Sequence, residues 1–467
     1  MHWWQFIYAG AIFVVLLLSF KSQKYLIYGY VFFLPWAGLT VDLGVQLNID
    51  RLISFIMLLL AVTFIGKLVR LGPVLLFLIY AFVVTCVLSL LFLPETANEF
   101  PPLRGKYRWA IQITMWSLLF APVFFFQTLK KIGEIQKIYK ILLISIIILC
   151  VLGWVQVLSY FLFNFDPFPI GILNPEDILR QGIFDFQGTP IFRMSSLGGE
   201  PKHFAYSIVT VLSIMFIQIL YGKNRKSIGK KKLAIFLFLL FSLILTFSTQ
   251  GFGLLLVDLI SITFLSVYVL KDVRINKVVY IVFLLFMSLS VLIYFERDIL
   301  QVLNERTFLR LQESGFIEDW NDAVLGFLRE HPKYWFTGVG LGNIHLYAKD
   351  YIPGYALHHM FGEVFIAKSG FLRLISEVGM IGFLFFLYAY FKPVFALKKI
   401  RHINGRNDFG EHIVLSIVVF INFLISANGP PYVFFIMAIS YSTYSLSRRG
   451  RSNGFVHNNK FPKPTPG

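Results

Sequence analysis

The sequence predicts an all-α polytopic membrane protein, and three observations carry that prediction. The mean hydropathy is +0.71. Hydrophobic residues make up 57% of the chain and charged residues only 14%, which excludes a soluble globular domain. Apolar stretches repeatedly approach the roughly 20 residues that a helix needs to cross a bilayer. Runs such as 12–20, 141–152 and 233–246 lack the two-residue alternation of a barrel strand, so we expect helices.

The length rule gives about 13 candidate spans, within a range of about 12 to 14. They are centred near 4–20, 25–40, 51–66, 73–93, 108–127, 139–162, 204–221, 233–248, 251–270, 278–295, 371–391, 411–427 and 431–446. The second span is short and contains Pro35. The eighth and ninth spans are separated only at residues 248–251. We expect a single transmembrane domain over 1–467, with 1–20 as a retained first span.

The distribution of basic residues predicts the orientation in the membrane. The net charge is +17. Basic residues cluster in short loops at every second connection, at 21–24, 67–70, 130–140, 223–232, 271–277, 398–406 and 448–451. This is the positive-inside pattern, and it places the N-terminus outside and the C-terminus in the cytoplasm. No aromatic stacking platform accompanies the basic clusters, so we expect no nucleic-acid partner.

Two long polar segments, 163–202 and 296–370, interrupt this regular pattern, and both are predicted to be extracytoplasmic. The larger segment contains a short amphipathic helix, because Trp320, Val324, Phe327 and Leu328 recur at helical spacing. The glycine-rich run from residue 338 to 343 follows no strand pattern, which favours a tight turn over a nucleotide site. We therefore expect no nucleotide cofactor.

The first segment ends in a polar group at a predicted helix start. Pro201 followed by an apolar run indicates a helix N-terminus, where Glu200 would face the positive helix end. That placement could be purely structural. Glu200 and His203 also lie one turn apart, where they could move a proton. Arg193 lies in a Gly/Ser-rich stretch, and an arginine fork suits bidentate phosphate binding.

The second segment and the helices beside it add further candidates, each with a structural alternative. Arg306 and Arg310 share a helix face and could pair with nearby glutamates or bind phosphate. His358 and His359 lack a third ligand at suitable spacing, so we expect acid–base or ordinary loop roles and no metal. Asp258, in the middle of the ninth span, must face the bundle interior or a cavity.

Three blocks of the second half resemble the bacterial O-antigen polymerase/ligase family of polyprenyl-linked glycan transferases. They are 193–205, 320–343 (WNDAVLGFLREHPKYWFTGVGLGN) and 369–387 (SGFLRLISEVGMIGFLFFL). The ligase branch of that family commonly enters its late span with His-Asn-Ser. This chain has Ala367-Lys368-Ser369 there, which favours the polymerase.

The resemblance implies a GT-C-like glycosyltransferase bundle in the bacterial inner membrane that needs no metal and no cofactor. Its donor would be a glycan on undecaprenyl pyrophosphate, and a chain-length regulator and a flippase would be its protein partners. The candidates for the base that such a reaction needs are Glu200, His203, His358 and His359. The candidates for pyrophosphate and glycan contacts are Arg180, Arg193, Lys202, Arg306, Arg310, Lys368 and Arg373.

Three alternative functions stay open. The first is an O-antigen ligase that transfers glycan to a lipid or another acceptor. The second is a lipid-linked oligosaccharide flippase, for which the intramembrane Asp258 is the relevant feature. The third is a cell-wall glycan polymerase of the shape, elongation, division and sporulation type.

Overall fold

The computed structural model of the protein describes residues 3–42, 46–62, 71–93, 105–168, 183–186, 189–221, 230–271, 273, 319–354, 366–404, 409–426 and 430–458. The helices are α1 (Trp3–Lys21), α2 (Lys24–Phe33), α3 (Ile49–Val62), α4 (Gly72–Leu91), α5 (Gly105–Phe125), α6 (Ile132–Phe163), α7 (Pro201–Tyr221), α8 (Lys230–Leu245), α9 (Thr249–Phe264), α10 (Asp319–Glu330), α11 (Tyr334–Thr337), α12 (Ile344–Ala348), α13 (Gly370–Asn404), α14 (Gly410–Ile425) and α15 (Pro430–Asn458). Two antiparallel hairpins complete the described part, β1 (Thr40–Asp42) with β2 (Gln46–Asn48) and β3 (Ile183–Phe186) with β4 (Thr189–Phe192).

Among the described residues, six helices are long and apolar enough to cross a membrane. They are Gly72–Leu91, Arg108–Thr128, Ile132–Phe163, Pro201–Tyr221, Thr249–Val269 and Gly370–Arg401. The prediction of an all-α membrane protein is thereby confirmed. The predicted span at 278–295 lies outside the described residues.

The predicted second span, 25–40, differs from the structure. Helix α2 has only 10 residues, which rise about 15 Å, whereas the hydrocarbon core is about 30 Å thick. Pro35 has no backbone N–H to continue the helical hydrogen bonds, and the chain instead forms a turn in which Trp36 N donates to Phe33 O at 3.0 Å. Trp36 then anchors the chain, because its indole N–H donates to Ser145 Oγ at 2.8 Å.

Aromatic rings hold the centre of the bundle together. Phe77 of α4 lies with its ring centroid 5.6 Å from that of Phe120 and 5.4 Å from that of Phe386. Phe434 of α15 closes the group, 4.6 Å from Phe120 and 5.8 Å from Phe386. Tilted and edge-to-face rings at these distances attract one another beyond their area of contact. Four helices, α4, α5, α13 and α15, therefore meet at one aromatic cluster.

Helix α13 is interrupted at Gly379, which has φ 70° and ψ 177°. This conformation is almost restricted to glycine. The interruption exposes the carbonyls of Ser376 and Glu377, which accept hydrogen bonds from Val339 N at 2.8 Å and Gly340 N at 2.9 Å. The glycine-rich run thus forms the predicted tight turn, and it docks on the interrupted helix by its backbone.

The amphipathic helix predicted in the larger polar segment is confirmed as α10. Its apolar side buries Val324, Phe327 and Leu328, and it packs on the bundle through α13. Arg329 and Glu330 at its end are exposed. Helix α10, in the described part of this segment, is therefore held to the bundle by packing of one helical face.

The two ends of the bundle differ in chemistry. The polar end is defined here as the end where α7, α9 and α13 begin and where α8 and α14 end. At this end Gln250 Nε2 donates to Ser426 Oγ at 2.7 Å, and Met194 N donates to Leu245 O at 2.9 Å. The opposite end carries lysines of several predicted inside loops, among them Lys24, Lys130 and Lys131.

We predict that Gly379→Ala destabilises the protein by about 3 kcal/mol or more. An L residue is strained at this φ, and a Cβ there would overlap the carbonyl of Phe336. Thermal unfolding of the purified protein in detergent measures the change. Gly253→Ala is the matched control, because its Cβ would meet no atom within 4 Å and alanine is the better helix former. Equal melting temperatures for wild type and Gly379→Ala would contradict the docked turn.

Candidate functional site

The structure describes six of the predicted site residues. Arg193, Glu200, Lys202, His203, Lys368 and Arg373 all lie at the polar end. The other five lie outside the described residues; these are Arg180, Arg306, Arg310, His358 and His359. The site can therefore be built from the segment before α7 and the segment before α13.

Two lysines and a histidine surround Glu200. Lys202 Nζ lies 2.6 Å from Glu200 Oε2, and His203 Nε2 lies 3.7 Å from the same oxygen. Burial opposes ionisation of Glu200, but its interactions with Lys202, His203 and Lys368 outweigh burial and hold the pKa of this carboxyl below its usual range. About a third of each side chain in the Glu200–Lys202–His203 group is exposed, so a ligand can reach it.

Lys368, which lies just before α13, is also a neighbour of Glu200. Helix α10 fixes its position. The ammonium of Lys368 lies 4.6 Å from the ring centroid of Trp320. Its backbone N–H and that of Ser369 both donate to Asn321 Oδ1, at 2.9 and 3.2 Å. Ser369 Oγ in turn donates to Leu424 O at 2.7 Å. Trp320 and Asn321, two consecutive residues of α10, thus hold Lys368 and Ser369 in place just before the start of α13.

The segment from Arg193 to Glu200 is positioned by Gln156, a fully buried residue of α6. Gln156 Oε1 accepts from Ser195 N at 3.2 Å and from Ser196 N at 2.7 Å. Ser196 has a positive φ of 53°, a turn conformation that these two hydrogen bonds stabilise. A polar side chain inside the membrane needs such partners.

Further backbone contacts fix Arg193 itself. Arg193 Nε donates to Thr246 O at 3.2 Å, in the turn between α8 and α9. Leu197 O accepts from Gly38 N at 3.0 Å, which ties the segment to the chain that follows α2. The position of Arg193 therefore depends on three other parts of the bundle.

Two arginines, Arg51 and Arg373, lie close together near the first turns of α3 and α13. Arg373 Nε lies 3.4 Å from Glu377 Oε1, and its guanidinium lies 5.9 Å from the Trp116 ring. Glu377 is fully buried, so this ion pair gives Arg373 a structural role. Arg51 lies close enough to Arg373 for their like charges to interact, and Asp50 balances Arg51.

Several of these contacts could not be found from the sequence. Gln156 lies in an apolar run and gives no signal of its own, and Asn321 reads only as a polar position of an amphipathic helix. Arg51 is a basic residue at the edge of a predicted span. Within the described ranges, no three His, Cys, Asp or Glu side chains are arranged to hold a metal ion.

A separate polar contact anchors the glycine-rich turn to α4 and α5. Arg108 Nη1 donates to His345 Nε2 at 2.6 Å, and both side chains are buried. Asn343 Nδ2 donates to Ser89 Oγ at 2.7 Å, and Leu341 N donates to Thr85 Oγ1 at 3.0 Å. Burial and the Arg108 charge lower the pKa of His345 from 6.5 to about 3. The imidazole is therefore neutral and accepts from the guanidinium.

We predict that acid weakens this anchor. In the unfolded chain His345 binds a proton near pH 6.5, whereas in the folded chain it does so only near pH 3, so stability is lost as the pH falls through that window. At pH 5 the loss is about 2 kcal/mol.

Melting temperatures of wild type and His345→Gln at pH 7.5 and pH 5 test this, because glutamine accepts from Arg108 without titrating. The wild type should lose more stability than the variant. Parallel losses in the two proteins would contradict the assignment.

No protein-family model and no curated protein matches the sequence of this chain. The geometry of the polar end and the resemblance of the three sequence blocks are therefore the grounds for a proposed function.

Proposed function

We propose that the protein polymerises polyprenyl-pyrophosphate-linked glycan repeat units into a surface polysaccharide. One observation carries the proposal: the three sequence blocks of the resemblance meet at the polar end. Lys202 in the first block and Lys368 beside the third both act on Glu200, and Lys368 rests on Trp320 of the second. The second block also docks on the third, because Gly340 N donates to Glu377 O.

The proposed topology follows from the separation of charges between the two ends. The lysines at the end opposite the site fit a cytoplasmic location, which would place the polar end outside. We propose a GT-C-like bundle of about 13 spans in the bacterial inner membrane, with the N-terminus outside and the C-terminus in the cytoplasm. A chain-length regulator and a flippase would be its partners.

In the proposed reaction, the acceptor hydroxyl oxygen attacks the anomeric carbon of the donor glycan. The bond from that carbon to the pyrophosphate oxygen breaks, and the pyrophosphate leaves with the electron pair. Cations placed where this negative charge develops stabilise the transition state. Arg193, Lys202 and Lys368 are the described residues suited to that task.

The proton of the acceptor hydroxyl must go to a base within hydrogen-bond reach. Glu200 is ionised at neutral pH because of its cationic neighbours, and it is partly exposed. It can accept the proton directly, while His203 lies beside it and can relay it to solvent. The lowered pKa makes Glu200 a weak base, so the reaction would depend mainly on stabilisation of the leaving group.

The residues before α13 favour the polymerase over the ligase. Ala367 stands where the ligase branch commonly has histidine, and it is fully buried with its methyl group packed in the core. A histidine side chain would not fit there without rearrangement. The described histidine at the cluster is His203, on a different helix.

We predict that Lys368→Met lowers polymer synthesis about 100-fold, because methionine keeps packing on Trp320 but removes the charge. The assay uses purified protein in liposomes with a fluorescent lipid-linked repeat unit, and the length of the glycan is read on a gel. Lys333→Met is the matched control, since Lys333 makes a similar contact with Tyr334 at 5.0 Å and is exposed.

The same assay separates the candidate functions. A polymerase lengthens the lipid-linked glycan, a ligase moves it to a second acceptor, and a flippase only translocates it. If the Lys368→Met variant still made full-length polymer, the proposed role of Lys368 in stabilising the leaving pyrophosphate would be contradicted. Translocation without any new glycosidic bond in the wild type would overturn the proposal as a whole.

A further inference from the structure

Asp258 is a buried carboxyl group that the proposed reaction does not use. It lies in the middle of α9 and has no solvent exposure. Among the described residues, no lysine, arginine or histidine forms an ion pair with it. An unpaired carboxylate in a membrane interior is costly, so its charge must be neutralised in another way.

Oxygen atoms from neighbouring helices surround this carboxyl group. Ser213 Oγ of α7 donates to Asp258 Oδ2, in a short hydrogen bond. The other oxygen, Oδ1, has no hydrogen-bond partner within the described residues. The side chain of Asn422 of α14 also donates a hydrogen bond to the carboxyl, while its own Oδ1 lacks a partner among the described atoms. Two buried oxygens, Asp258 Oδ1 and Asn422 Oδ1, are therefore left without a donor among the described residues.

The titratable groups near Asp258 cannot supply the missing positive charge. From α7 the facing titratable side chain is Tyr206, whose hydroxyl has no partner among the described residues. Behind it lie Tyr432 and Tyr390. Ser213 and Asn422 carry no charge. A tyrosine can only be neutral or negative, so none of these groups balances a carboxylate.

We propose that Asp258, Ser213 and Asn422 form a binding site for a small monovalent cation, either a proton or Na⁺. A proton on Oδ1 turns that oxygen into a donor for an acceptor such as Asn422 Oδ1. A sodium ion instead takes lone pairs from the carboxylate, hydroxyl and amide oxygens, as in the ion sites of transporters. Both cations neutralise the carboxylate and satisfy the orphaned oxygens.

This site braces the helices that carry the polar end. Asp258 connects α9 to α7 through Ser213 and faces α14 through Asn422. Helix α7 begins beside Glu200, and α14 ends at the carbonyl of Leu424, which receives Ser369 Oγ. Cation binding therefore stabilises the packing beneath the polar end, whatever reaction takes place there.

The test measures the melting temperature of the full-length protein in detergent. One series varies Na⁺ against choline at constant ionic strength and pH 8.5, and the other varies the pH from 5 to 9 in choline alone. A cation that binds the folded state raises its stability by mass action. The melting temperature of the wild type should therefore rise with Na⁺, or with falling pH, relative to that of Asp258→Asn. Asp258→Asn carries no charge at this site, so it should show no Na⁺ dependence and only the pH dependence that both proteins share, including the acid response of His345.

Two further variants sharpen the outcome. Asp350→Asn, at an exposed carboxylate, should respond as the wild type does. Ser213→Ala removes one ligand, so it should weaken Na⁺ stabilisation or move the pH midpoint upward, because the charged carboxylate loses a donor. A dependence on Na⁺ at fixed pH identifies sodium as the ligand, and a dependence on pH alone identifies the proton.

The proposal is overturned by equal responses of wild type and Asp258→Asn to both Na⁺ and pH. Should Asp258→Asn fail to fold, an unchanged midpoint in Ser213→Ala overturns it in the same way. Neither outcome depends on glycan synthesis, so the cation site and the proposed reaction can fail separately.

Discussion

The excess of positive charge around Glu200 is the interaction on which the polar end depends. One carboxylate faces Lys202 at 2.6 Å, with His203 and Lys368 close by. Two lysines beside one carboxylate leave a net positive charge, and their ammonium groups repel each other, so the fold must hold them in place. An anionic ligand would relieve that repulsion. The arrangement therefore favours a site that binds a phosphorylated substrate.

The fold holds this charge by neutral hydrogen bonds from distant parts of the chain. Gln156 fixes the backbone before Glu200, and Asn321 fixes the backbone of Lys368. The interruption of α13 at Gly379 exposes carbonyls that receive the turn following α11. Each of these contacts satisfies polar backbone groups that lipid would leave unpaired. The same hydrogen bonds that stabilise the bundle therefore also position the lysines around Glu200.

Local pattern predicted the helices, whereas most contacts of the site needed the structure. The apolar runs, helix α10 and the position of Glu200 before Pro201 follow from spacing within one segment. The Lys368–Trp320 contact joins residues in separate elements, and Gln156 looks apolar by context. The early end of α2 was missed because the hydropathy window continues through Pro35. The spacing of apolar residues shows which face of a helix is buried, but it does not show which residue of another element packs against that face.

Lipid binding tests the central claim most directly. The purified protein in nanodiscs would be titrated with undecaprenyl pyrophosphate, with undecaprenyl monophosphate and with uncharged undecaprenol. If the cations at the polar end bind the donor, the affinity should fall in that order, and added salt should weaken the binding of the diphosphate. Equal affinity for undecaprenol and undecaprenyl pyrophosphate would contradict the account.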